Sequence, residues 1–305
     1  MQEYILKASE GDVGKRLDVL VANFSKTRKL GLSRTSIQKL ILEDKVTLGD
    51  SNQLKPHYRV KANEQFRIII EEKKKEIVEA ENIPLDIVFE DQDLAVINKP
   101  AGLVVHPAPG NSEHTLVNAL LHHFKNLSDI NPQRPGIVHR LDKQTSGLLV
   151  IAKNNSAHLA LTAQFAKHSI KRKYIAIVKG KMEFDENVIE LPIGRHPVKR
   201  KNMSVGFGDK TRPASTYYRT LKRKKDFSLL ELEPFTGRTH QLRVHLAFIG
   251  HPILGDDKYG KNNDFERLAL HAQYLGFTHP GTGKLIEFSC PIPKEFKDFI
   301  SETQI

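Results

Sequence analysis

The spacing of apolar and polar positions along the chain changes near residue 83. Before it, apolar residues recur at helical spacing: Leu17, Leu20, Val21 and Phe24 in one stretch, then Ile37, Leu40 and Ile41 in a second that Ser33 is placed to cap. Short strand-like pieces follow, KVTL at 45–48, YRV at 58–60 and FRIII at 66–70, and then a charged run, EEKKKEIVEAEN, at 71–82. Two helices with a small sheet, closed by a charged linker, form one unit. The boundaries predicted are a first domain over 1–75, a linker over 76–82 and a second domain over 83–305.

Beyond residue 83 the pattern becomes one of short β-branched runs separated by Gly and Pro: DIVFE, LAVINKP, GLLVIAK, KYIAIVKG, STYYRTLK and FSLLELEP. Helical stretches are fewer, at 115–124, 156–168 and 237–250. Strands that do not alternate regularly with helices predict an α+β fold with a mainly antiparallel sheet, carrying a small N-terminal α+β domain.

Composition narrows the partners. The chain has 305 residues and a formal net charge of +11, an excess of cations that points to nucleic acid or an anionic surface. No apolar run approaches the roughly 20 residues that span a bilayer, and the N-terminus lacks the layout of a signal peptide, so a soluble cytoplasmic protein without membrane association is expected. The single cysteine, Cys290, has no partner for an internal disulfide and is read as a buried structural thiol. In the first domain Arg16, Lys26, Arg28, Lys29, Arg34 and Lys39 make a platform for phosphates.

Three stretches carry candidate chemistry. In GIVHRLDKQTSGLLVIAK, at 136–153, one carboxylate, Asp142, lies on a turn that leads into a wholly apolar strand, with Arg140 two positions before it. A carboxylate at a strand end is held rigidly and can face a cleft, although an Asp beside Thr and Ser also serves as a local turn cap. In TGRTHQLRVHLAFIGHPILGDDKYG, which carries one short helix-like segment after a Thr-Gly turn, His240, Arg243 and Ala247 share a helical face that could offer Arg243 to a buried acid. His240 and His245 are five apart with no carboxylate between them, which does not match the i, i+4 spacing of helical zinc motifs, so no metal is expected. In KHSIKRKYIAIVKG the basic residues Lys171, Arg172 and Lys173 read as a loop running into a strand, with Tyr174 at its start. Such a ring either caps a strand or stacks on a base while its neighbours hold the backbone. The runs RHPVKRK and LKRKK suit phosphate contacts.

These motifs resemble a known family. HRLDKQTSGLLVIAK, INKPAGLVVHP, KRKYIAIVKG and TGRTHQLRVHL, followed by HPILGDDKYG, are similar in content and order to the RluA-type pseudouridine synthases over about 84–293. The chain looks most like the branch that acts on uridines of large-subunit ribosomal RNA. The first 75 residues resemble the alpha-L RNA-binding module of bacterial ribosomal and RNA-modifying proteins through RLD.L.A, SRTSIQKLI and KVTL. They differ from it at Glu43 and Asp44, where a Gly is usual, and at LGDS, where an Asn-Gly turn is usual.

The resemblance implies that Asp142 starts the breaking of the uridine glycosidic bond. It further implies that Arg243 pairs with that carboxylate, Tyr174 stacks on the target base and Arg140 fills the gap left by a flipped base. Lys99 and Pro100 match a strand-end motif beside the cleft without an assigned role. The partner expected is ribosomal RNA or an assembling large subunit, with no small-molecule cofactor. Isomerisation cuts the bond from nitrogen 1 to ribose, turns the base and rejoins it through carbon 5, a sequence without a redox step. Asp142 would act as nucleophile on the anomeric carbon or as base on the 2′ proton, and a paired arginine favours the charged carboxylate that either needs. Rival readings are an N-glycosidic hydrolase, which would leave an abasic site, and an inactive RNA-binding assembly factor.

Overall fold

The structure is a computed structural model that describes residues 2–28, 30, 32–49, 53–70, 78–107, 110–199, 201–260 and 265–302. Lys29, Asp50 and Ser51 of the LGDS turn, residues 71–77 of the charged run, Ala108, Pro109 and Arg200 lie outside the described residues. The chain divides into two compact units, Met1–Glu76 and Ile77–Ile305.

The first unit runs β1 (Gln2–Lys7), α1 (Leu17–Thr27), α2 (Arg34–Leu42), β2 (Val46–Leu48) and β3 (Gln65–Ile70). Its strands lie in the order β1-β3-β2, all antiparallel. Leu17, Leu20 and Val21 of α1 and Ile37 and Ile41 of α2 share one apolar core with Phe66 and Ile68 of β3. Ser33 caps α2, its Oγ accepting from the Ser36 amide at 3.1 Å. Asp44, at a point where the alpha-L module usually has Gly, takes a left-handed φ of 55° in the turn between α2 and β2. The YRV stretch, expected as a strand, makes only an isolated bridge between Arg59 and Arg16. Its Val60 amide and carbonyl are used instead by Lys15 and Gly14, in the loop before α1.

The second unit contains β4 (Ile87–Glu90), β5 (Leu94–Lys99), α3 (Leu116–His123), β6 (Ser146–Ala152), α4 (Asn155–Ala166), β7 (Lys171–Lys179), β8 (Glu186–Glu190), β9 (Ile193–Arg195) and β10 (Met203–Val205). It continues with β11 (Ser215–Arg223), β12 (Phe227–Pro234), α5 (Gln241–Phe248), β13 (Leu270–Thr278), β14 (Leu285–Ser289) and α6 (Lys294–Glu302). Nine strands form one sheet in the order β4-β5-β6-β13-β7-β12-β11-β8, with β14 added to β13. Only β6 and β13 pair in parallel, so the mainly antiparallel sheet read from the sequence is observed. The apolar runs of β5 and β6 do not alternate because both faces are covered. Ala95, Ile97, Leu149 and Ile151 pack with Leu116 and Leu120 of α3, whereas Leu94, Val96, Leu148 and Val150 pack with Ala157 and Leu161 of α4.

Two local expectations are corrected. The 237–250 stretch is not helical throughout, because α5 begins only at Gln241, after a turn. The Gln241 side chain holds that turn: its Oε1 accepts from the Thr236 hydroxyl at 2.6 Å and the Arg238 amide at 3.0 Å, and its Nε2 donates to the Ser215 carbonyl at 2.9 Å. Lys171, Arg172 and Lys173 are not a loop but the first residues of β7, paired with Gly276, Leu275 and Tyr274 of β13.

A single buried acid organises the first unit. Asp18 is inaccessible to solvent and accepts hydrogen bonds from Arg16 at 3.0 and 3.1 Å, from Arg34 at 3.2 and 3.1 Å and from Gln38 at 2.7 Å, joining the two helices. Burial pushes its carboxyl up, but the bonds from Arg16, Gln38 and Arg34 outweigh it and bring the group from the usual 3.8 down to about 2. A depressed folded-state value stabilises the unit above the unfolded value and is lost as pH falls through that window. Asp18→Asn is therefore expected to weaken hydrogen-exchange protection of α1 and α2 at pH 7 by about 1–3 kcal/mol. The gap between variant and parent should close as pH falls from 4 to 2, after correction for intrinsic exchange.

Candidate active site

The loop before β6 alternates in what it buries. His139 stacks on Phe165 with ring centroids 4.5 Å apart, and its Nε2 accepts from the Val150 amide at 3.0 Å, pinning the loop to β6. Burial of that ring, with Arg172 nearby, pushes the imidazole down to about 3, so it is a neutral acceptor. Arg140 turns outward, Leu141 turns into the core, and Asp142 faces a cleft of about 610 Å³. The Asp142 carbonyl, not its carboxylate, closes the turn by accepting from the Thr145 amide at 3.1 Å. The side chain is thereby left for the cleft.

The loop is held from below by Lys99 at the end of β5. This lysine is wholly buried, and its Nζ donates to the carbonyls of Pro100 at 2.8 Å, Leu103 at 3.0 Å and Lys143 at 3.2 Å. Burial pushes its ammonium down to about 7, Asp142 opposing and Arg267 adding to the fall. Gly147 lies opposite Lys99 across β5 and β6 and has a φ of +110°. A Cβ there would come within 2.2 Å of the Ala272 carbonyl oxygen, so glycine is what allows β6 to lie against β13 at this point.

Arg243 on α5 meets the carboxylate across 101 residues of sequence, its Nη1 donating to Asp142 Oδ2 at 3.1 Å. The rest of the guanidinium is occupied: Nε and Nη2 donate to the buried Asp256 at 2.8 and 2.7 Å, and Nη2 also reaches Asp257 at 3.3 Å. Asp256 in turn accepts from the Lys258 and Tyr259 amides at 3.0 and 3.1 Å. Despite burial, which lowers it, the Arg243 value is raised by Asp256 first and then by Asp142. Asp256 is pushed up by burial and brought below the usual range by Arg243.

Among the residues singled out from the sequence, Arg140, Asp142, Arg172, Tyr174 and Arg243 line this one cleft. The period of two in β7 explains which of its residues reach it: Arg172 and Tyr174 share a face, while Lys171 and Lys173 lie on the other. Lys173 bonds both oxygens of Glu231 at 3.2 Å. Arg172 donates through Nη2 to the Pro234 carbonyl at 3.1 Å, and its buried Nε has no partner among the described residues. Arg16, Arg34 and Lys39 belong to the first unit: the two arginines bond Asp18, and Lys39 lies 3.3 Å from Glu43.

Sequence reasoning gave no part to Asp256 and Tyr259 within GDDKYG, and it passed over His139 and Gly147 as site supports. His245, weighed as a ligand, uses both ring nitrogens on Thr216 and the Leu191 carbonyl at 3.0 and 2.9 Å. Asp91, Asp93 and His279 gather elsewhere. There His279 Nε2 meets Asp91 at 2.6 Å and Nδ1 accepts two amides at 3.1 Å, so the cluster staples two turns. Cys290 is buried beside His271 at 3.1 Å, and burial pushes its thiol up to about 11.

A cleft with one carboxylate, a guanidinium fixed against it and an aromatic ring in its wall has the groups that chemistry started by a carboxylate on a planar ligand would need. Residues 93–248 match the family model described as RNA pseudouridylate synthase. The chain belongs to that family, and it is an enzyme, an isomerase that makes pseudouridine in RNA. It is similar to YlyB of Bacillus subtilis, named an uncharacterized RNA pseudouridine synthase, at 43% identity over 303 residues and 98% of each chain. It is also 43% identical over 302 residues to ribosomal large subunit pseudouridine synthase D of Zymomonas mobilis, across 95% of this chain and 94% of that one. Among solved structures, human RNA pseudouridylate synthase domain containing 1 matches with a TM-score of 0.57 and 28% identity, over 68% of this chain and 83% of that one. No described helix is long and apolar enough to cross a membrane.

Because Gly147 joins the Asp142 loop to β13, Gly147→Ala is expected to cost roughly 3 kcal/mol or more and to lower activity along with the melting temperature. Thermal unfolding of variant and parent checks this, and an unchanged midpoint would count against the close approach as the reason for the glycine.

Proposed function

We propose that this enzyme converts uridines of large-subunit ribosomal RNA to pseudouridine in the cytoplasm, with Asp142 initiating the reaction and the N-terminal unit binding RNA. The observation that carries the reading is the Asp142 Oδ2 to Arg243 Nη1 contact of 3.1 Å in a cleft that also holds Tyr174. Support for the substrate comes from similarity over nearly the full chain to a protein named for the large ribosomal subunit.

The arginine holds one carboxylate oxygen, so Oδ1 is the one that acts on the ribose, as nucleophile at the anomeric carbon or as base on the 2′ proton. The uracil set free stays in the cleft, stacked on Tyr174, turns, and rejoins through carbon 5. One proton leaves carbon 5 and one is taken up at nitrogen 1, so the step needs no oxidant, reductant or cofactor. A uridine reaches this depth only by leaving its stack, at a cost of a few kcal/mol. Arg140, exposed at the cleft mouth, takes the vacated place, and Arg172 adds a cation to the cleft wall. Lys171 and Lys173 contribute to the field that draws the backbone in, with Lys173 weakened by Glu231.

In the N-terminal unit Arg16 and Arg34 keep 39% and 58% of their side-chain surface although they bond Asp18, and Lys39 keeps 73%. They thus remain within reach of phosphates, and Glu43 offsets part of the charge of Lys39.

Asp142→Asn is expected to abolish pseudouridine formation, at least about 10³-fold in single-turnover rate, while RNA affinity stays within a few-fold. Product analysis by mass and by reverse-transcription stops separates isomerisation from hydrolysis, and substantial turnover by the purified variant would overturn the role of Asp142. Deleting residues 1–75 is expected to weaken RNA binding more than it slows the saturated rate. The slope of log affinity against log salt should become shallower by about 0.7 to 0.9 for each phosphate that the truncated protein no longer neutralises. Unchanged affinity and slope with an abolished saturated rate would remove the RNA-binding role of that unit.

A further inference from the structure

His240 stands where the reacting carboxylate meets the 255–260 loop, and its geometry is unusual. Its backbone is left-handed, with φ at 56°, in the position just before α5. A residue with a Cβ pays about 1–2 kcal/mol for that conformation, which persists where the surroundings fix it and is concentrated at functional sites. The side chain is 12% exposed in the cleft wall, with Nε2 3.8 Å from Asp142 Oδ1 and Nδ1 2.8 Å from Tyr259 Oη.

The Tyr259 oxygen already accepts the Met203 amide at 2.9 Å, so its own hydroxyl proton is the one directed at His240 Nδ1. A neutral imidazole that accepts at Nδ1 carries its proton on Nε2. Arg243 occupies Oδ2 of Asp142, so the N–H on Nε2 faces the remaining oxygen, Oδ1, from just beyond hydrogen-bond reach. Catalytic contacts of this length commonly tighten once substrate is bound.

We propose that His240 is a positioning residue for Asp142, presenting a fixed N–H to the reacting oxygen, and that the Tyr259 hydroxyl sets the tautomer that makes this possible. The proposal rests on the reading of Asp142 as the initiating carboxylate. The charged and titratable groups facing His240 are Asp142 from the loop before β6, Arg243 from α5, and Asp256, Lys258 and Tyr259 from the 255–260 loop. Burial holds the imidazole below its ordinary value of 6.5; Asp142 opposes this, Arg243 and Lys258 add to it, and Asp256 opposes it. His240 is therefore neutral near pH 7. At acid pH its protonation would place a cation against Oδ1, hold that oxygen in an ion pair and break the hydrogen bond from Tyr259. Activity is then lost as pH falls through a value below 6.5.

The test is single-turnover pseudouridine formation at saturating full-length enzyme, on a large-subunit ribosomal RNA fragment, from pH 5 to 8.5. The chains compared are the parent, His240→Leu, His240→Gln, Tyr259→Phe and Asp142→Asn. Tyr259→Phe keeps the ring that lies 5.2 Å from the Arg243 guanidinium and removes only the hydroxyl. It is expected to slow the rate about tenfold, and His240→Leu about 10²-fold, with RNA affinity unchanged. His240→Gln retains an N–H and cannot titrate, so it should recover most of the rate lost in the Leu variant and show no acid limb. Parental rates and pH profiles in Tyr259→Phe and His240→Leu, with Asp142→Asn inactive, overturn this proposal and leave the role of Asp142 standing. Turnover by Asp142→Asn removes that underlying reading instead. If His240→Leu does not fold, the profile of His240→Gln decides: an acid limb that persists there overturns the proposal.

Discussion

The site depends on the way one buried guanidinium is shared. Arg243 is 6% exposed at its side chain, and a cation so placed is tolerated only if it is matched in charge and its donors are used. Asp256 supplies the match with a two-point contact at 2.8 and 2.7 Å, leaving Nη1 as the edge that points at Asp142. Removing one member of such a buried pair costs on the order of 3–5 kcal/mol, because the other is left uncompensated. The loop before β6, the start of α5 and the 255–260 loop are thus tied together by one side chain. The direction of Arg243 is set by Asp256 more than by the carboxylate it presents itself to.

The placement of Asp142 relies on groups that are neutral or lose charge readily. His139 is held down to about 3 and acts as an acceptor for the Val150 amide, fixing the loop without adding a cation. Lys99, buried and pushed down to about 7, holds the carbonyls of Pro100, Leu103 and Lys143, the last being the residue after Asp142. Gly147 supplies the close approach that seats β6 on β13. A loop fixed in this way can present a carboxylate with little freedom to reorganise, as preorganised sites require.

Much of the fold was legible because local pattern and tertiary role agree. The unbroken apolar runs of β5 and β6 mark strands covered on both faces, and the Ser33 cap and the helical stripes of α1 and α2 are local features. Where the sequence misled, a long-range contact decided. YRV has the composition of a strand, yet its backbone is consumed by the loop before α1. The 237–240 stretch runs into a helical pattern, but Gly237 and Thr239 are poor helix formers and the Gln241 side chain takes the Arg238 amide, which keeps it a turn. Strand β13, with His271 and Gln273 among its residues, alternates poorly because both its faces are covered, Leu270 and Ala272 packing in one core cluster and Leu275 and Phe277 in another, and the sequence pattern did not mark it as a strand. The cleft residues Asp142, Tyr174 and Arg243 could be picked out by motif. Asp256 acts through Arg243, Tyr259 through His240 and Lys99 through carbonyls that include that of Lys143, contacts made only once the chain has folded, and no spacing in the sequence announces them.

A chain with a formal charge of +11 faces a conflict if its chemistry depends on a carboxylate, since surplus cations nearby would bind that carboxylate instead of leaving it to react. The structure resolves this by separating range from contact. Cations at the surface, such as Arg140 and Lys171, act on a polyanion at distances where summed charge matters. Within the cleft, the charge of Arg243 is matched by Asp256, His139 is neutral and Arg172 donates to the Pro234 carbonyl, while Lys173, on the other face of β7, is held by Glu231. One oxygen of Asp142 is tethered while the other faces open space beside His240, whose ring is itself held below its ordinary value. The protein can therefore attract RNA through its surplus surface charge while leaving one oxygen of Asp142 free of a permanent counter-ion. This local balance, more than the presence of an acid and an arginine, is what the GDDKYG loop contributes to the site.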